Sequence, residues 1–304
     1  MISTASPRWC LPKNIWSSAR SRCISCAKWS NRRGRNKHDA RTRRDSELSR
    51  IRQGRRARAY DLPQVWIPQL ETKRDILIYA PPSYNTSAKR YPVLYMHDGQ
   101  NLFDEATAYA GHDWRVDETM QALSQEGFEA LVVGICHGGE QRLTEYNPFP
   151  GKWPGRGAAH VAFVCDTLKP FIDNTLRTRP EHAATGVFGS SMGGLISLYA
   201  FFSRPDIFGM CGAMSPSLFV SQNAILDYAR AAAWNEGRIY LDNGTYEPSA
   251  RPMYQALRAK GYKARRHLKY VRERGARHTE SAWARRLPNA LRFLLQDFRA
   301  LQTA

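Results

Sequence analysis

Two adjacent serines, Ser190 and Ser191, lie inside the glycine frame of the stretch VFGSSMGG at residues 187–194. The pattern G-x-S-x-G selects Ser191, because Gly189 and Gly193 stand two positions before and after it. Centred on Ser190, the same pattern would need glycines where phenylalanine and methionine occur. In this motif the serine lies on a sharp turn from a strand into a helix, which exposes its Oγ for nucleophilic attack. Ser191 is therefore the predicted nucleophile, and an ordinary flexible turn is the alternative.

A serine hydroxyl becomes a good nucleophile only when a neighbouring base removes its proton. In folds that carry this motif, the partners follow the serine in the order acid, then histidine. Of the eight histidines, only His267 and His278 come after Ser191. His267 falls within the predicted strand RRHLKYV, where a structural role is expected. His278 follows Gly275 on a predicted loop before the last helix, from which its ring could reach the serine, so His278 is the predicted base.

The acid is expected on the chain that leaves the preceding predicted strand, GRIYLDN at residues 237–243. Two carboxylates lie there, Asp242 and Glu247. Asp242 begins the turn signature D-N-G, so its carboxylate is expected to cap that turn. Glu247 comes three residues after Gly244 and has the longer reach. We favour Glu247 as the acid and keep Asp242 as the alternative.

Acyl transfer through a serine also needs two N–H donors for the oxyanion, one of them from the residue after the nucleophile. That residue is Met192, and the second donor is expected in the loop YMHDGQNLFD at residues 95–104, where Gly99 lets the backbone turn inward. We predict that Gln100 N–H is this donor; an ordinary turn is the alternative. No histidine spacing typical of a metal site accompanies these residues, so no metal or cofactor is predicted.

Short apolar runs rich in β-branched residues alternate with helical patterns from about Tyr60 onward. The runs are of the length and composition typical of parallel strands buried on both faces. Predicted strands cover residues 74–80, 91–97, 130–136, 184–189 and 237–243, with weaker candidates at 209–215 and 265–271. Predicted helices cover 114–127, 160–176 with a kink at Pro170, 195–202, 250–261 and 281–302. This alternation predicts a single α/β domain with a doubly wound, mostly parallel sheet and helices on both faces.

The motifs together resemble a known family. YPVLYMHDGQNLFD, RLTEYNP, GVFGSSMGGLISLYAFFSRPDIFG, AMSPSLF and GARHTESAWARRLPNALRFL are similar to the bacterial "putative esterase" family of α/β-hydrolases. The family includes enterobactin-type siderophore esterases, feruloyl and acetylxylan esterases, S-formylglutathione hydrolases and the antigen 85 mycolyltransferases. The resemblance covers about Asp61 to Leu301. It implies an α/β-hydrolase fold with Ser191 as nucleophile, His278 as base, Glu247 as acid, and oxyanion donors at Met192 and in the HDGQ turn. Some siderophore-esterase relatives work with little help from an acid, so a serine–histidine dyad is the alternative.

Substrate preference depends on the long loop HGGEQRLTEYNPFPGKWPGRGA at residues 137–158. We predict that Arg142, Glu145, Tyr146 and Trp153 on this loop, with Trp114 opposite, offer a cation and stacking surfaces to a substrate; packing at the surface is the alternative for each. The predicted function is that of a serine carboxylester hydrolase acting on a siderophore-type or other small aryl or acyl ester. The alternatives are a feruloyl or acetyl esterase, an S-formylglutathione hydrolase, and a non-catalytic binding protein on the same fold.

Charge divides the chain at about residue 58. Residues 1–58 carry 17 Lys and Arg against 3 Asp and Glu, whereas residues 59–304 carry 28 against 24. A segment this charged is expected to stay solvated and disordered, as a basic extension ahead of an esterase domain at 59–304. A transit peptide, a nucleic-acid-binding arm and an extension without function are its possible roles.

Composition also bears on location and partners. The sequence has no apolar run long enough to span a membrane and no secretory core near Met1. Nothing in the placing of its six cysteines suggests a disulfide framework. We therefore expect a cytoplasmic protein whose partner is a small-molecule ester, without membrane contact, and with nucleic acid bound, if at all, only through the basic extension.

Overall fold

A nine-stranded sheet runs through the part of the chain that the computed structural model describes, residues 52–53, 59–151 and 155–300. The strands are β1 (Arg52–Gln53), β2 (Ala59–Ile67), β3 (Thr72–Tyr79), β4 (Val93–His97), β5 (Leu131–Ile135), β6 (Thr185–Ser190), β7 (Met210–Met214), β8 (Arg238–Gly244) and β9 (Leu268–Glu273). Their order across the sheet is β1-β2-β3-β5-β4-β6-β7-β8-β9. Strands β4 to β9 pair in parallel, and β1 to β3 add an antiparallel edge. The mostly parallel α/β sheet expected from the sequence is confirmed.

Helices cover both faces of this sheet. They are α1 (Val116–Ser124), α2 (Arg142–Glu145), α3 (Gly157–Phe163), α4 (Lys169–Thr175), α5 (Met192–Ser203), α6 (Ala224–Ala231), α7 (Arg251–Ala259) and α8 (Glu280–Leu294). Side chains of β4 alternate between two hydrophobic layers: Val93 and Tyr95 join one, and Leu94 and Met96 join the other. Because successive strand residues point to opposite faces, every residue of β4 is buried, and the strand reads as a continuous apolar run.

The antiparallel edge differs from the prediction. Strand β3, expected among the parallel strands, pairs antiparallel with both β2 and β5, and its first half is only partly buried. Strand β2 was not predicted at all. It contains Pro63, and Gln64 has a φ of 56°, at a break in the register between Leu62 and Val65. A proline and a bulge interrupt the alternation by which a strand is recognised in a sequence.

The helix predicted at 160–176 is divided in the structure. A single π-helical segment, Val164–Leu168, separates α3 from α4 and ends just before Lys169 and Pro170. Pro170 has no N–H to donate to the preceding turn, and a π segment at this place accommodates the missing bond. Pro288, by contrast, lies inside α8.

The last helix is shorter than predicted. The helix predicted at 281–302 ends at Leu294, and a short 3₁₀ segment, Gln296–Phe298, follows it. The basic extension predicted at 1–58 lies outside the described residues, apart from β1. Within the described ranges, no helix is both long and apolar enough to cross a membrane.

Candidate active site

The turn between β6 and α5 carries Ser191 in a strained conformation. Its φ is 55° and its ψ is −120°, a region that residues with a Cβ rarely adopt. The two ends of the turn lie so close that a Cβ on Gly189 would stand 2.6 Å from the carbonyl carbon of Gly193. Ser191 N–H donates to Met214 O at 2.9 Å, which fixes the turn against β7. Ser190, in contrast, is the last residue of β6 and is buried.

His278 and Glu247 come together on the loops that follow β9 and β8. His278 Nδ1 lies 2.7 Å from Glu247 Oε2, so a ring protonated at Nδ1 donates to this carboxylate. The Glu247 side chain is 1% exposed and that of His278 is 39% exposed. The carboxylate is thus shielded on the protein side of the ring, while the other ring nitrogen remains available for a reaction. Glu247, and not Asp242, is the acid that contacts the histidine.

Three further groups hold Glu247 in the ionised form. Ser215 Oγ donates to Oε1 at 2.9 Å, Gly244 N–H donates to the same oxygen, and Arg286 Nη2 lies 3.6 Å from it. Burial raises the pKa of Glu247, but the hydrogen bonds from His278, Gly244 and Ser215 outweigh it and hold the pKa below its ordinary value. An ionised carboxylate at this place stabilises the imidazolium that forms when His278 accepts a proton.

Helix α8 supports the histidine from the other side. The Trp283 ring meets the His278 ring edge-on, with 4.9 Å between centroids and an interplanar angle of 85°. Trp283 Nε1 donates to Ser215 Oγ at 2.9 Å, and Arg286 Nη2 donates to the same hydroxyl at 2.8 Å. The single proton of Ser215 is then directed to Glu247. His278, Glu247, Ser215 and α8 therefore form one connected hydrogen-bonded unit.

The expectation that Asp242 caps the D-N-G turn is wrong. Asp242 lies within β8, fully buried, where Oδ1 accepts from Ser215 N–H at 3.1 Å and Oδ2 lies 3.0 Å from Arg286 Nε. Asn243 holds the loop instead, since its Oδ1 accepts from Ala250 N–H and Tyr270 Oη. The D-N-G triplet reads as a turn from sequence, but the parallel pairing of β8 with β9 extends through Gly244.

Asp242 is expected to make the stability of the fold depend on pH. Burial raises its pKa from 3.8 to about 7, against the opposing effect of Arg286. Between these two values the folded protein keeps a proton that the unfolded chain has released, so the stabilisation is complete at acid pH and is lost as the pH rises through 7. Relative to Asp242→Asn, the free energy of unfolding of the wild type should fall by about 3 kcal/mol from pH 5 to pH 8.

Denaturant unfolding of both proteins at the two pH values measures this difference. Asp227→Asn serves as the matched control, because the Asp227 side chain is 82% exposed and its replacement should not alter the pH dependence. A parallel pH dependence of the wild type and Asp242→Asn would show that Asp242 ionises normally in the fold.

The hydroxyl of Ser191 has a neighbour that was not predicted. Ser191 Oγ lies 3.2 Å from Ser217 Oγ, and among the hydrogen bonds of the described residues none joins Ser191 to His278. Ser217 belongs to the stretch SPSLF that directly follows β7. No local sequence pattern signals the contact of Ser217 with Ser191 or the contact of Trp283 with His278.

The two candidate oxyanion donors lie at the start of α5 and in the turn after β4. Met192 is the first residue of α5, so its N–H is among those left unpaired at a helix N-terminus, where the helix dipole favours negative charge. Asp98 has a φ of 58°, and a Cβ on Gly99 would stand 2.7 Å from the carbonyl carbon of Gly134. The turn thus needs glycine at 99, as expected. Gln100 N–H as the second donor stays a prediction.

Two of the predicted substrate contacts are wrong in their expected form. Trp114 is 1% exposed and packs against Phe188 and Trp283, and Tyr146 is fully buried beside His97. Neither ring offers a stacking surface, because each fills the core beneath the site. The sequence shows an aromatic residue on a loop but not whether the loop turns that residue inward. Trp153 lies outside the described residues.

Arg142 is held by a buried carboxylate. Its Nε and Nη2 donate to Asp98 Oδ1 and Oδ2 at 2.7 and 2.9 Å, and its side chain remains 23% exposed. Asp98 lies beside the turn between β6 and α5 that carries Ser191, since a Cβ on Gly193 would stand 3.2 Å from Asp98 Oδ2. Glu145, also predicted at the substrate, is instead buried in a second ion pair with Arg74, which anchors the same loop to β3. The loop after β5 is therefore fixed to β3 through Arg74 and to the turn after β4 through Asp98. The contact with Asp98 places the guanidinium of Arg142 near Ser191.

Exposed apolar side chains cluster by position in the fold. Of the six large ones that are exposed in the described residues, four lie on loops after the carboxyl ends of β4, β5, β7 and β8. These four, named here the apolar rim, are Tyr109, Leu143, Phe219 and Tyr246. The carboxyl ends of parallel strands share one edge of the sheet, which is also the edge of Ser191. Arg277 lies over the ring of Tyr246, 5.4 Å from its centroid.

One cluster of carboxylates in the described residues has the spacing of a cation site. Ligand oxygens of Asp113, Asp117 and Glu118 lie within 4.8 Å of one another. Each of the three has other polar interactions, and acidic groups so arranged are common without an ion. No chemistry is assigned to them.

Comparison with known proteins places this geometry in context. The family described as "Putative esterase" matches residues 67–294. YbbA of Bacillus subtilis strain 168, described as an uncharacterized protein, is 26% identical over 242 residues, which cover 73% of this chain and 92% of that protein. A "Siderophore enterobactin esterase" of Emericella nidulans is 34% identical over 161 residues, which cover 49% of this chain. The chain spans only about half of that fungal enzyme, 53% of its length.

The fold is also found among solved structures. A ferulic acid esterase superposes with a TM-score of 0.62 at 20% sequence identity, and the match covers 79% of this chain and 99% of that chain. At this level of identity the likeness concerns the fold.

Proposed function

The chain belongs to the "Putative esterase" family and is an ester hydrolase, and on this premise we propose that it cleaves carboxylic esters through a covalent acyl-enzyme on Ser191. The observation that carries the proposal is the pairing of a strained Ser191 turn with a Glu247–His278 hydrogen bond of 2.7 Å on the same edge of the sheet. A nucleophile, a base and an orienting acid on one sheet edge are the arrangement that serine acyl transfer requires. We assign this activity to residues 59–304, which contain the whole family match.

In the proposed reaction, His278 Nε2 accepts the proton of Ser191 Oγ as Oγ bonds to the ester carbonyl carbon. The negative charge that develops on the carbonyl oxygen is stabilised by Met192 N–H and Gln100 N–H. The tetrahedral intermediate then expels the alcohol, which takes the proton from His278. Water attacks the acyl-enzyme in the same way, with His278 as base, and Ser191 is regenerated. Throughout, Glu247 stabilises the imidazolium and holds the ring at Nδ1.

The substrate proposed is a bulky aryl or siderophore-type ester. The apolar rim offers Tyr109, Phe219 and Tyr246 to aromatic rings. The guanidinium groups of Arg142 and Arg277 supply positive charge for an acidic phenol or carboxylate on the substrate. The name of the fungal siderophore esterase, which matches this chain at 34% identity, points in the same direction.

A substrate panel tests this proposal. We expect the purified protein to hydrolyse a tricatecholate trilactone and esters of aromatic acids such as feruloyl esters with a kcat/KM at least about tenfold above that for S-formylglutathione or a short aliphatic ester, a difference of ~1.4 kcal/mol in transition-state binding. The same panel with Ser191→Ala gives the background. A preference for S-formylglutathione would contradict the substrate class, and equal rates for wild type and Ser191→Ala would contradict the proposed nucleophile.

We also propose a cytoplasmic location. The cysteines of the described residues, Cys136, Cys165 and Cys211, are all free thiols. Burial raises the pKa of both Cys136 and Cys165 to about 12, so neither is a reactive thiolate at neutral pH. Unpaired structural cysteines suit a reducing compartment.

A further inference from the structure

Ser217 is tied to the nucleophile through both its backbone and its side chain. Ser217 N–H donates to Ser191 O at 3.0 Å, and the two hydroxyl oxygens lie 3.2 Å apart. Ser217 is 4% exposed, and its flanking residues Pro216 and Leu218 are buried as well. Its hydroxyl is therefore held in a fixed place beside Ser191 Oγ and does not rotate freely into solvent.

The direction of this hydrogen bond must depend on the stage of the reaction. Ser191 Oγ carries a single proton, and either hydroxyl can donate in the resting protein. When Ser191 gives its proton to His278, the contact with Ser217 can persist only if Ser217 is the donor. The acceptor is then an oxygen that gains negative charge as its proton leaves, and hydrogen bonds to such an oxygen are stronger than those between neutral groups.

We propose that Ser217 is a catalytic residue that donates a hydrogen bond to Ser191 Oγ while that oxygen is negatively charged, a role that rests on the proposed acyl-enzyme function. During acylation the Ser191 proton moves to His278 Nε2, the bond from Oγ to the carbonyl carbon forms, and Ser217 keeps its own proton. During deacylation the same carbon–oxygen bond breaks, and Ser217 stabilises Oγ until His278 returns the proton. The interaction is stronger in the transition state than in the ground state, which is the condition for it to accelerate the reaction.

Burst kinetics with an activated p-nitrophenyl ester separate this role from a structural one. The burst amplitude counts the intact active sites, whereas the burst rate constant measures acylation alone. For Ser217→Ala we expect the acylation rate constant to fall about 10- to 100-fold, somewhat less than the loss of one oxyanion donor. The amplitude per folded protein and KM should stay within about threefold, since the binding groups are untouched.

Two further variants complete the test. Ser217→Thr keeps the hydroxyl and should recover most of the lost rate. Ser203→Ala removes a hydroxyl at the far end of α5, where it contacts Ala200 O, and should leave the rate unchanged. An acylation rate constant of Ser217→Ala within twofold of the wild type, or a loss confined to the amplitude, would overturn the proposal. Equal hydrolysis rates of the wild type and Ser191→Ala would instead contradict the acyl-enzyme itself.

Discussion

Ser191→Ala is expected to lower kcat/KM for ester hydrolysis by about 10⁶-fold, because removal of the nucleophile of a serine triad costs about this much. The residual rate comes from the oxyanion donors and substrate binding, which the substitution leaves in place. Alanine also lacks the contact with Ser217 Oγ, so this buried hydroxyl loses one hydrogen-bond partner. The measurement is kcat/KM on one activated ester, together with the thermal unfolding of the variant.

Ser190→Ala is the matched control for this prediction. Ser190 precedes Ser191 directly and is 3% exposed within β6, so its hydroxyl cannot reach a substrate. We expect kcat/KM within about threefold of the wild type, with a melting temperature that falls by a few degrees if a buried hydrogen bond is lost. Loss of activity in Ser190→Ala, with activity retained in Ser191→Ala, would show that Ser190 and not Ser191 is the nucleophile.

Glu247→Gln is expected to lower kcat/KM by about 10²- to 10⁴-fold. In well-studied serine proteases the amide equivalent of the orienting acid costs about 10⁴, since it favours the wrong tautomer of the histidine. Here the carboxylate accepts from His278 Nδ1 and lies 3.6 Å from Arg286 Nη2, and its charge stabilises the imidazolium. Because the loss acts through the base, it should appear in kcat more than in KM.

Asp242→Asn is the control for Glu247→Gln, because both substitutions remove a carboxylate near Arg286 but only Glu247 contacts His278. Asp242 contacts the same guanidinium at 3.0 Å but not His278, so its substitution should change stability and leave kcat/KM within about fivefold of the wild type, a difference near 1 kcal/mol. If Asp242→Asn is the slower enzyme at equal stability, the assignment of the acid is wrong. If neither variant is slowed, Ser191 and His278 act as a dyad.

Local patterns predicted the parts of the molecule that short segments determine. The glycines around Ser191 predicted a turn because only a residue without a side chain fits where β6 and α5 meet. The order of residues along the chain and the position of His278 on a loop predicted its partner on the loop after β8. These inferences depend on a few neighbouring residues, and sequence contains that information.

Burial and long-range pairing were predicted less well. Trp114 and Tyr146 were expected to offer stacking surfaces to a substrate, yet each side chain fills the core. Ser217 reaches Ser191 across 26 positions in the chain, and no local pattern relates the two. The signature D-N-G predicted a turn at Asp242. The structure has a strand there instead, because β8 pairs with β9 beyond Leu241, and this pairing is a contact between distant segments. The outcome of such contacts depends on the whole fold.

The backbone of Ser191 has a consequence for how this chain can evolve. A φ of 55° with a ψ of −120° costs a residue with a Cβ about 1–3 kcal/mol, a large fraction of the roughly 5–15 kcal/mol by which domains are stable. Glycine would adopt the same conformation with less strain, so folding alone favours a residue that cannot perform the reaction. With Ser191 as the proposed nucleophile, selection on turnover accounts for a serine at this position. A lineage released from that selection would gain stability when glycine replaces Ser191, but not when alanine does, because alanine keeps the Cβ.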